Sequence, residues 1–337
     1  MPRKTGTWKA VFWGLCLLMM ILDSKTVLSA AAEGIDLSIR ILIPSIFPFL
    51  VVCTMASASL PRFRFLRPVG RLLRLPEGAE DLFFLGLLGG YPLGAAMVSQ
   101  AAKDRRISRS DGNRLLAFCS NAGPAFIFGI GSGLFPGFVY CLAIWAIHIL
   151  SAFLVGLMTP GKTARSTQRN PSDLTMSQAL RNAIMTMATI CGWVTLMRIV
   201  INLLERWILW FLPETAQILL RGILELANGS VALGGIDNVG LRMILFSAFL
   251  SFGGVCVWLQ TLSVTQNLSP RCYLPGKLTQ CAISILLASL AQPFLPKVQR
   301  YLLHPILLGL CGVICMSYIA IPRKLQNNSR NSPLTCV

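Results

Sequence analysis

The stretch Gly89-Gly90-Tyr91-Pro92-Leu93-Gly94 interrupts an apolar segment with glycine and proline. A second interruption, Ser120-Asn121-Ala122-Gly123-Pro124, follows in the next apolar segment. The same order returns later in the chain, as Glu225-Leu226-Ala227-Asn228-Gly229 and then Ser251-Phe252-Gly253-Gly254. In lipid, broken backbone persists only where protein or a water-filled cavity satisfies its polar groups. Paired interruptions in two halves of a chain therefore indicate a transporter-type binding site.

Composition places the chain in a membrane. Of its 337 residues, 54% are hydrophobic and 13% are charged, whereas a soluble domain has about 25% charged residues. The net charge of +17 comes from basic residues in short loops between apolar segments, which is typical of cytoplasmic loops beside anionic lipid headgroups. We therefore expect a multi-pass protein of the cell membrane that contacts the lipid bilayer and binds no nucleic acid.

Apolar segments of about 20 residues predict spanning helices. The pattern predicts an all-α polytopic membrane protein with about eight transmembrane helices and two re-entrant hairpins. The expected helices after the first cover residues 35–60, 112–134, 137–158, 179–204, 241–264, 278–295 and 302–321, and the hairpins cover 82–101 and 207–235. The domains are expected to be an N-terminal helix (1–34), a first repeat (35–158), a cytoplasmic polar linker (159–178), a second repeat (179–296), a final helix (297–322) and a basic cytoplasmic tail (323–337).

The N-terminal segment has two interpretations. A basic start precedes an apolar run at 10–22, and small residues follow near 29–32, as in a cleaved secretory signal peptide. The apolar run continues past Lys25, which favours an uncleaved first helix. Either interpretation places Glu33 outside the cell.

The basic residues also predict the topology. With both termini in the cytoplasm, the loops at 62–74 and 103–109 lie on the cytoplasmic side, together with Arg271, Lys277 and the tail. This arrangement satisfies the positive-inside rule, whereas an ordinary ten-helix bundle would place the first two loops on opposite sides. The first hairpin then enters from the cytoplasm and the second from outside, so the two halves are expected to be inverted repeats.

Glu225 is the acidic residue that most strongly indicates function. An ionisable group at membrane depth costs at least about 2.5 kcal/mol and marks a candidate functional site. Asn228 and Gly229 follow it closely and would supply further polar groups. The alternative is a structural ion pair between Glu225 and Arg221, one helical turn earlier.

The broken helices supply the other predicted binding residues. Ser120 and Asn121 lie at the first break, where helix ends present partly charged groups to a polar or ionic ligand; alternatively, the Asn121 amide caps the break. Ser251 lies at the second break, with Gln260 about two turns on, and the alternative there is close helix packing by small residues. The residues expected to form the hairpin and helix breaks are Gly90, Pro92, Gly94, Gly123, Pro124, Gly229, Gly253 and Gly254.

The sequence lacks the motifs of catalysis and metal binding. His148 and His304 are the only histidines, they lie far apart, and neither has the spacing of a metal ligand pair. Nucleophile-elbow, phosphate-loop and paired-carboxylate motifs are also missing. We therefore predict no enzyme activity, no catalytic residue, no metal and no cofactor.

Five stretches resemble a known family. Pro44-Ser45-Ile46-Phe47-Pro48-Phe49 and the interruptions at 90–94, 120–129, 224–229 and 251–260 look like the sporulation integral membrane protein YlbJ family. That family is grouped with the nucleoside-recognition (Gate) domain proteins, which are similar to the core of concentrative nucleoside transporters. The resemblance implies two re-entrant hairpins and two broken helices around a substrate, and a role in spore formation.

The residues and the resemblance together lead to a functional expectation. We expect a transporter-like protein of spore formation that moves a small polar solute by alternating access, with a nucleoside-like molecule as one candidate. Its partners would be that solute, a coupling cation and, in an oligomer, further copies of the chain. The alternative is a structural or assembly membrane protein of the spore envelope that does not transport. The first hairpin offers Tyr91, Pro92 and small residues where nucleoside transporters carry a Gln/Thr/Glu cluster.

Overall fold

Helices and short turns make up the described part of the chain, residues 5–59, 64–159, 161 and 175–297 of a computed structural model. No strand occurs within these ranges, which confirms the predicted all-α class. The helices are α1 Thr5–Leu22, α2 Ser24–Leu37, α3 Ile43–Ser59, α4 Arg67–Leu72, α5 Glu80–Gly89, α6 Leu93–Lys103, α7 Arg109–Leu115, α8 Pro124–Leu134, α9 Phe138–Met158, α10 Met176–Trp207, α11 Glu214–Leu224, α12 Leu226–Ala232, α13 Val239–Phe252, α14 Gly254–Val264 and α15 Tyr273–Ala291.

Within the described ranges, five helical segments are long and apolar enough to cross a membrane, in agreement with a polytopic membrane protein. They are Ser24–Ala56, Phe138–Met158, Met176–Trp207, Val239–Val264 and Pro270–Ala291. Two shorter apolar helices, Ala10–Leu22 and Pro124–Leu134, fall in the first and third predicted spans. The described residues up to Gln292 form one compact unit. The predicted helix at 302–321, with His304, lies outside the described residues.

The first two helices are divided at Asp23 and not near residue 35, where the sequence placed the division. Asp23 accepts a hydrogen bond from Trp207 Nε1 at 2.9 Å and pairs with Arg206 at 2.8 Å. α2 then continues through a π-helical turn, Ser38–Leu42, into α3. The boundary expected between 34 and 35 therefore falls inside a continuous helical segment.

Two helix pairs fold back at the predicted interruptions. Hairpin one is α5 and α6, which turn at Gly90 with φ of +79° and at Pro92, which follows a cis peptide bond. Hairpin two is α11 and α12, which turn at Glu225. Hairpin two is shorter than the predicted range of 207–235, because residues 208–213 form turns after α10 and a 3₁₀ turn, Leu233–Gly235, follows α12.

Paired glycines hold each hairpin closed. A Cβ added to Gly94 would lie 3.2 Å from Gly86 Cα, and a Cβ added to Gly229 would lie 2.1 Å from Gly222 Cα. Atoms this close leave no room for a side chain between the two helices. The glycines therefore let the backbones of each hairpin touch directly.

The two predicted helix breaks are present as well. Break one is the non-helical segment 116–123 between α7 and α8, which ends with Gly123 in an extended conformation and Pro124 at the first helical position. Break two is Gly253 and Gly254, which have φ of +82° and +81° and separate α13 from α14. Positive φ is strained for residues with a Cβ, so glycine is needed at both positions of break two.

The elements follow one order twice. A long helix (α3), hairpin one, the broken helix α7–α8 and the long helix α9 come first. The long helix α10, hairpin two, the broken helix α13–α14 and the long helix α15 come second. One face of α15 packs against both α9 and α13. Its position brings α15 beside both breaks.

Candidate functional site

Each hairpin turn packs against the break of the helix that follows it. A Cβ on Gly90, at the turn of hairpin one, would lie 3.1 Å from the backbone nitrogen of Gly123 in break one. A Cβ on Gly254, in break two, would lie 3.4 Å from the backbone nitrogen of Glu225 at the turn of hairpin two. Glycine is thus required where one irregular backbone approaches another.

The two sets of elements also meet each other at these turns. Tyr91, at the turn of hairpin one, donates a hydrogen bond to the carbonyl oxygen of Leu250 at 3.2 Å, one turn before break two. A Cβ on Gly253 would lie 3.3 Å from Tyr91 Cζ. Both hairpin turns and both breaks therefore converge on one region of the protein.

A small cavity lies where they converge. Its volume is about 50 Å³, counted as the space open to the centre of a water molecule. Its lining is mostly apolar, and its polar side chains are those of Tyr91, Glu225 and Gln260. Its wall comes from α3 and the π turn before it, from both hairpins, break one, α8, α10 and α14. The remaining lining residues are Leu42, Ile46, Phe49, Leu88, Gly89, Gly90, Ala122, Gly123, Ala125, Phe126, Ile190, Val194, Leu226, Ala227 and Val257.

Glu225 caps α12 and does not pair with Arg221. Its carboxylate accepts hydrogen bonds from the backbone N–H groups of Ala227 at 2.9 Å and Asn228 at 2.6 Å, and from Asn228 Nδ2 at 2.8 Å. A carboxylate at a helix N-terminus is stabilised by the unpaired N–H groups and the helix dipole. Arg221 instead pairs with Glu205 at 2.6 Å. The alternative ion pair between Glu225 and Arg221 is therefore wrong.

A second polar group of side chains, the central network, lies around the two breaks. All of its members are buried, so their polar atoms need partners inside the protein. Ser120 takes part through its backbone carbonyl, and its Oγ has no hydrogen-bond partner within the described part of the chain. Break one, the long helix α9, the end of α13 and one face of α15 contribute them. The members are Ser120, Asn121, His148, Ser151, Ser251, Lys277, Gln280 and Ser284.

His148 of α9 links the two breaks. Its Nε2 accepts a hydrogen bond from the backbone N–H of Ala122 at 3.1 Å, so the proton of a neutral imidazole lies on Nδ1. Nδ1 is 3.2 Å from Ser251 Oγ, to which it can donate. Ser251 Oγ in turn lies 2.6 Å from Ser284 Oγ, which donates to Ser151 Oγ at 2.9 Å. A single side chain, His148, therefore connects the two breaks by hydrogen bonds.

Asn121 caps break one and also holds it to α15. Its Nδ2 donates to the carbonyl oxygen of Phe118 at 2.7 Å, so the amide caps a free carbonyl within break one, while the N-cap position of α8 is Gly123. Its Oδ1 accepts from Gln280 Nε2 at 3.0 Å and from Lys277 Nζ at 3.2 Å. Both ends of the amide are thus used inside the protein.

The predicted binding residues divide between the cavity and the central network. Glu225 and Gln260 line the cavity, and Asn228 lies beside it with its amide directed to the Glu225 carboxylate. The other three, all at the breaks, belong to the central network and are absent from the cavity lining. The arrangement can offer a solute hydrogen-bond acceptors at Glu225 and both donors and acceptors at Gln260.

The sequence interpretation missed five residues of the central network, namely His148, Ser151, Lys277, Gln280 and Ser284. It placed Lys277 in a cytoplasmic loop, but α15 begins at Tyr273 and buries Lys277 completely, so that placement is wrong. Gln280 and Ser284 follow on the same helical face at the spacing i, i+3, i+7. This polar stripe in an apolar helix was a usable signal. His148, a single polar residue among apolar ones, gave no such pattern.

The chain is similar to the sporulation integral membrane protein YlbJ of Bacillus subtilis (strain 168). The two are 23% identical over a region that covers 72% of this chain and 71% of that protein. The resemblance inferred from the sequence is confirmed. No protein-family model matches the chain, and no solved structure matches it significantly.

Proposed function

We propose that the chain is an integral membrane protein of spore formation that moves a small polar solute across the membrane by alternating access. The observation that carries the proposal is the cavity, at which both hairpin turns and break one meet around the buried acid Glu225. Irregular backbone at membrane depth is tolerated where it lines a cavity, and transporter sites are built from discontinuous helices in this way.

The polar lining limits the kind of solute. Glu225 and Gln260 are both almost fully buried, so a solute that bonds to them must leave its own water behind. Hydrogen bonds to these groups repay that loss, while the surrounding apolar side chains receive the rest of the solute. We therefore propose a small solute with hydrogen-bond donors, of which a nucleoside-like molecule is one candidate.

We further propose that the two sets of elements are inverted repeats. Support comes from the repeated order of long helix, hairpin, broken helix and long helix, and from the like contacts between each hairpin turn and the following break. The basic loops that flank hairpin one support a cytoplasmic entry for it. Hairpin two would then reach the cavity from the opposite face of the membrane.

The size of the cavity supports a closed state in the proposed cycle. A space of about 50 Å³ holds only a few water molecules, and ligand pockets usually measure about 300–1,000 Å³. A solute could enter only if one hairpin moved away from the opposite break. Because each hairpin is closed by backbone contact at its glycines, we expect it to move as one rigid body.

The role in spore formation rests on the relative. The Bacillus subtilis protein is named for sporulation, and it matches this chain over most of both lengths. A membrane protein that served spore formation by transport would change the distribution of its solute between forespore and mother cell. A membrane protein that served only assembly would leave that distribution unchanged.

The experiment compares small molecules in the forespore and mother cell, by mass spectrometry, in sporulating cells with and without the chain. Glu225→Gln keeps the size of the side chain but removes its charge, and should abolish the solute difference while the protein remains abundant on immunoblots. Glu214→Gln is the matched control, because Glu214 is an exposed carboxylate at the start of hairpin two. It should transport like the wild type.

Equal solute profiles in cells with and without the chain would refute transport. Unchanged transport by Glu225→Gln would refute the role of that residue alone. The rival proposal, a structural or assembly protein of the spore envelope, predicts heat-resistant spores for Glu225→Gln and poor spores when the exposed loops are altered. Heat-resistant spore counts of the two kinds of variant therefore distinguish the two functions.

A further inference from the structure

Lys277 is a buried cation held at break one. Its Nζ donates to the carbonyl oxygen of Ser120, to Asn121 Oδ1 at 3.2 Å and to Gln280 Oε1 at 2.8 Å. The ring centroid of Tyr91, from the turn of hairpin one, lies 5.2 Å from Nζ. The side chain is completely buried.

These contacts fit the charged form of the side chain. An ammonium group has three N–H donors, and three oxygen atoms accept from it here, whereas a neutral amine has only two donors. The face of an aromatic ring adds favourable electrostatics for a cation at such a distance. The three acceptors are neutral oxygens, so the group forms a cation site and not an ion pair.

The same atoms would suit a free monovalent cation. Carbonyl and amide oxygens are the usual protein ligands of hard cations, and unwound helices in transporters present carbonyl groups to such ions. Break one supplies the Ser120 carbonyl and the Asn121 amide, and α15 supplies the Gln280 amide. Lys277 reaches this position from the turn of α15 that also carries Gln280.

We propose that break one contains an oxygen-lined site for a monovalent cation, and that the Lys277 ammonium occupies it permanently. The coupling cation expected from the sequence is then replaced at this position by a cation of the chain itself. Truncation of Lys277 would free the oxygens to bind Na⁺, K⁺ or NH₄⁺ from solution. For transport, this inference rests on the proposed function. It predicts that the protein moves its solute without Na⁺ bound at break one.

Cation-dependent thermal stability of the purified protein tests the proposal without any transport assay. The Tm of Lys277→Ala in detergent should fall by on the order of 5 °C, because three buried acceptors lose their donor. NaCl, KCl or NH₄Cl should restore at least half of the loss, and choline chloride at equal ionic strength should not. Lys277→Met fills the space without a charge, so it should be destabilised and show no recovery with any of these salts.

The wild-type protein and a surface variant complete the design. The Tm of the wild type should be the same in the four salts, since its site is already filled. Lys103→Ala removes an exposed lysine at the end of α6 and should behave like the wild type.

Two results would overturn the proposal. One is a Lys277→Ala protein whose Tm recovers with none of the small cations. The other is a wild-type Tm that rises specifically with Na⁺, K⁺ or NH₄⁺, which can be measured even if the alanine variant does not accumulate. Neither result depends on solute movement, so failure of this inference is separable from failure of the proposed function.

Discussion

Gly229 offers a direct test of the closed hairpin two. Replacement of Gly229 by alanine would place a Cβ 2.1 Å from Gly222 Cα and 2.4 Å from Gly222 N. Both are backbone atoms, which cannot rotate away as a side-chain end could. We expect this variant to force α12 away from α11 and to move the Glu225 cap with it.

The size of the effect follows from these distances. Carbon atoms in contact lie about 3.5–4.0 Å apart, so the helices must separate by about 1.5 Å. Overpacking of this kind costs typically about 1–3 kcal/mol, and the better helix propensity of alanine returns at most about 1 kcal/mol. The unfolding entropy of a 337-residue protein is about 0.7 kcal/mol/K, so a net loss of about 1–2 kcal/mol should lower the Tm by roughly 1–3 °C.

Thermal unfolding of the purified protein in detergent is the assay. The matched control is Gly192→Ala, another helical glycine, since a Cβ at Gly192 would have no atom within 4 Å. That variant should be as stable as the wild type, or more stable by about 0.4–1 kcal/mol. If Gly229→Ala matched the control, the direct contact between the backbones of hairpin two would be refuted.

Three further predictions concern the cap, the network and the topology. Glu225→Ala leaves two N–H groups of α12 without an acceptor, and each should cost about 1–3 kcal/mol in thermal unfolding; a cost below 1 kcal/mol would contradict the capping geometry. His148→Ala removes the link between the breaks and should lower stability by about 1–3 kcal/mol, while addition of Ser251→Ala should cost little more; fully additive losses would argue against a shared network. Single cysteines at Arg71 and Asp237, in a background without native cysteine, should be labelled by an impermeant thiol reagent from the cytoplasm and from outside, respectively; labelling of position 237 from the cytoplasm would exclude the inverted topology.

The breaks were predictable because their causes are local. Glycine and proline restrict or release the backbone at their own positions, so Gly90, Pro92 and the pair Gly253-Gly254 indicate interruptions wherever the rest of the chain lies. The capping role of Asn121 was predictable for the same reason, since its partner is Phe118, three residues away.

The polar stripe of α15 was visible in the sequence, but the contacts of the central network were not predictable, because they join residues that are distant in sequence. His148 and Ser251 are 103 positions apart, and Lys277 and Asn121 are 156 apart. The rule that places lysine in cytoplasmic loops describes the average basic residue. It fails where oxygen acceptors elsewhere in the fold compensate the burial of the charge, as they do for Lys277.

The predicted boundary between the first two helices was wrong for a related reason. Asp23, between α1 and α2, accepts a hydrogen bond from Trp207, which lies 184 residues further along the chain. Gly34 is the local helix breaker beside residue 35, but α2 continues through it, and a Cβ there would lie 2.8 Å from Thr195 Cα. This glycine allows close packing against a distant helix and does not mark a division.

The π-helical turn at Ser38–Leu42 sets the rotation of α3 about its axis. On the N-terminal side of this turn, Ala30 and Gly34 of α2 are buried. On its C-terminal side, Ile46 of α3 lines the cavity. Each residue of an α-helix turns the chain by about 100°, so loss of one residue within the π turn would rotate one half of this segment against the other by that angle. The number of residues in this turn thus decides which side chains of α3 form the cavity wall, beside Leu42 of the turn itself.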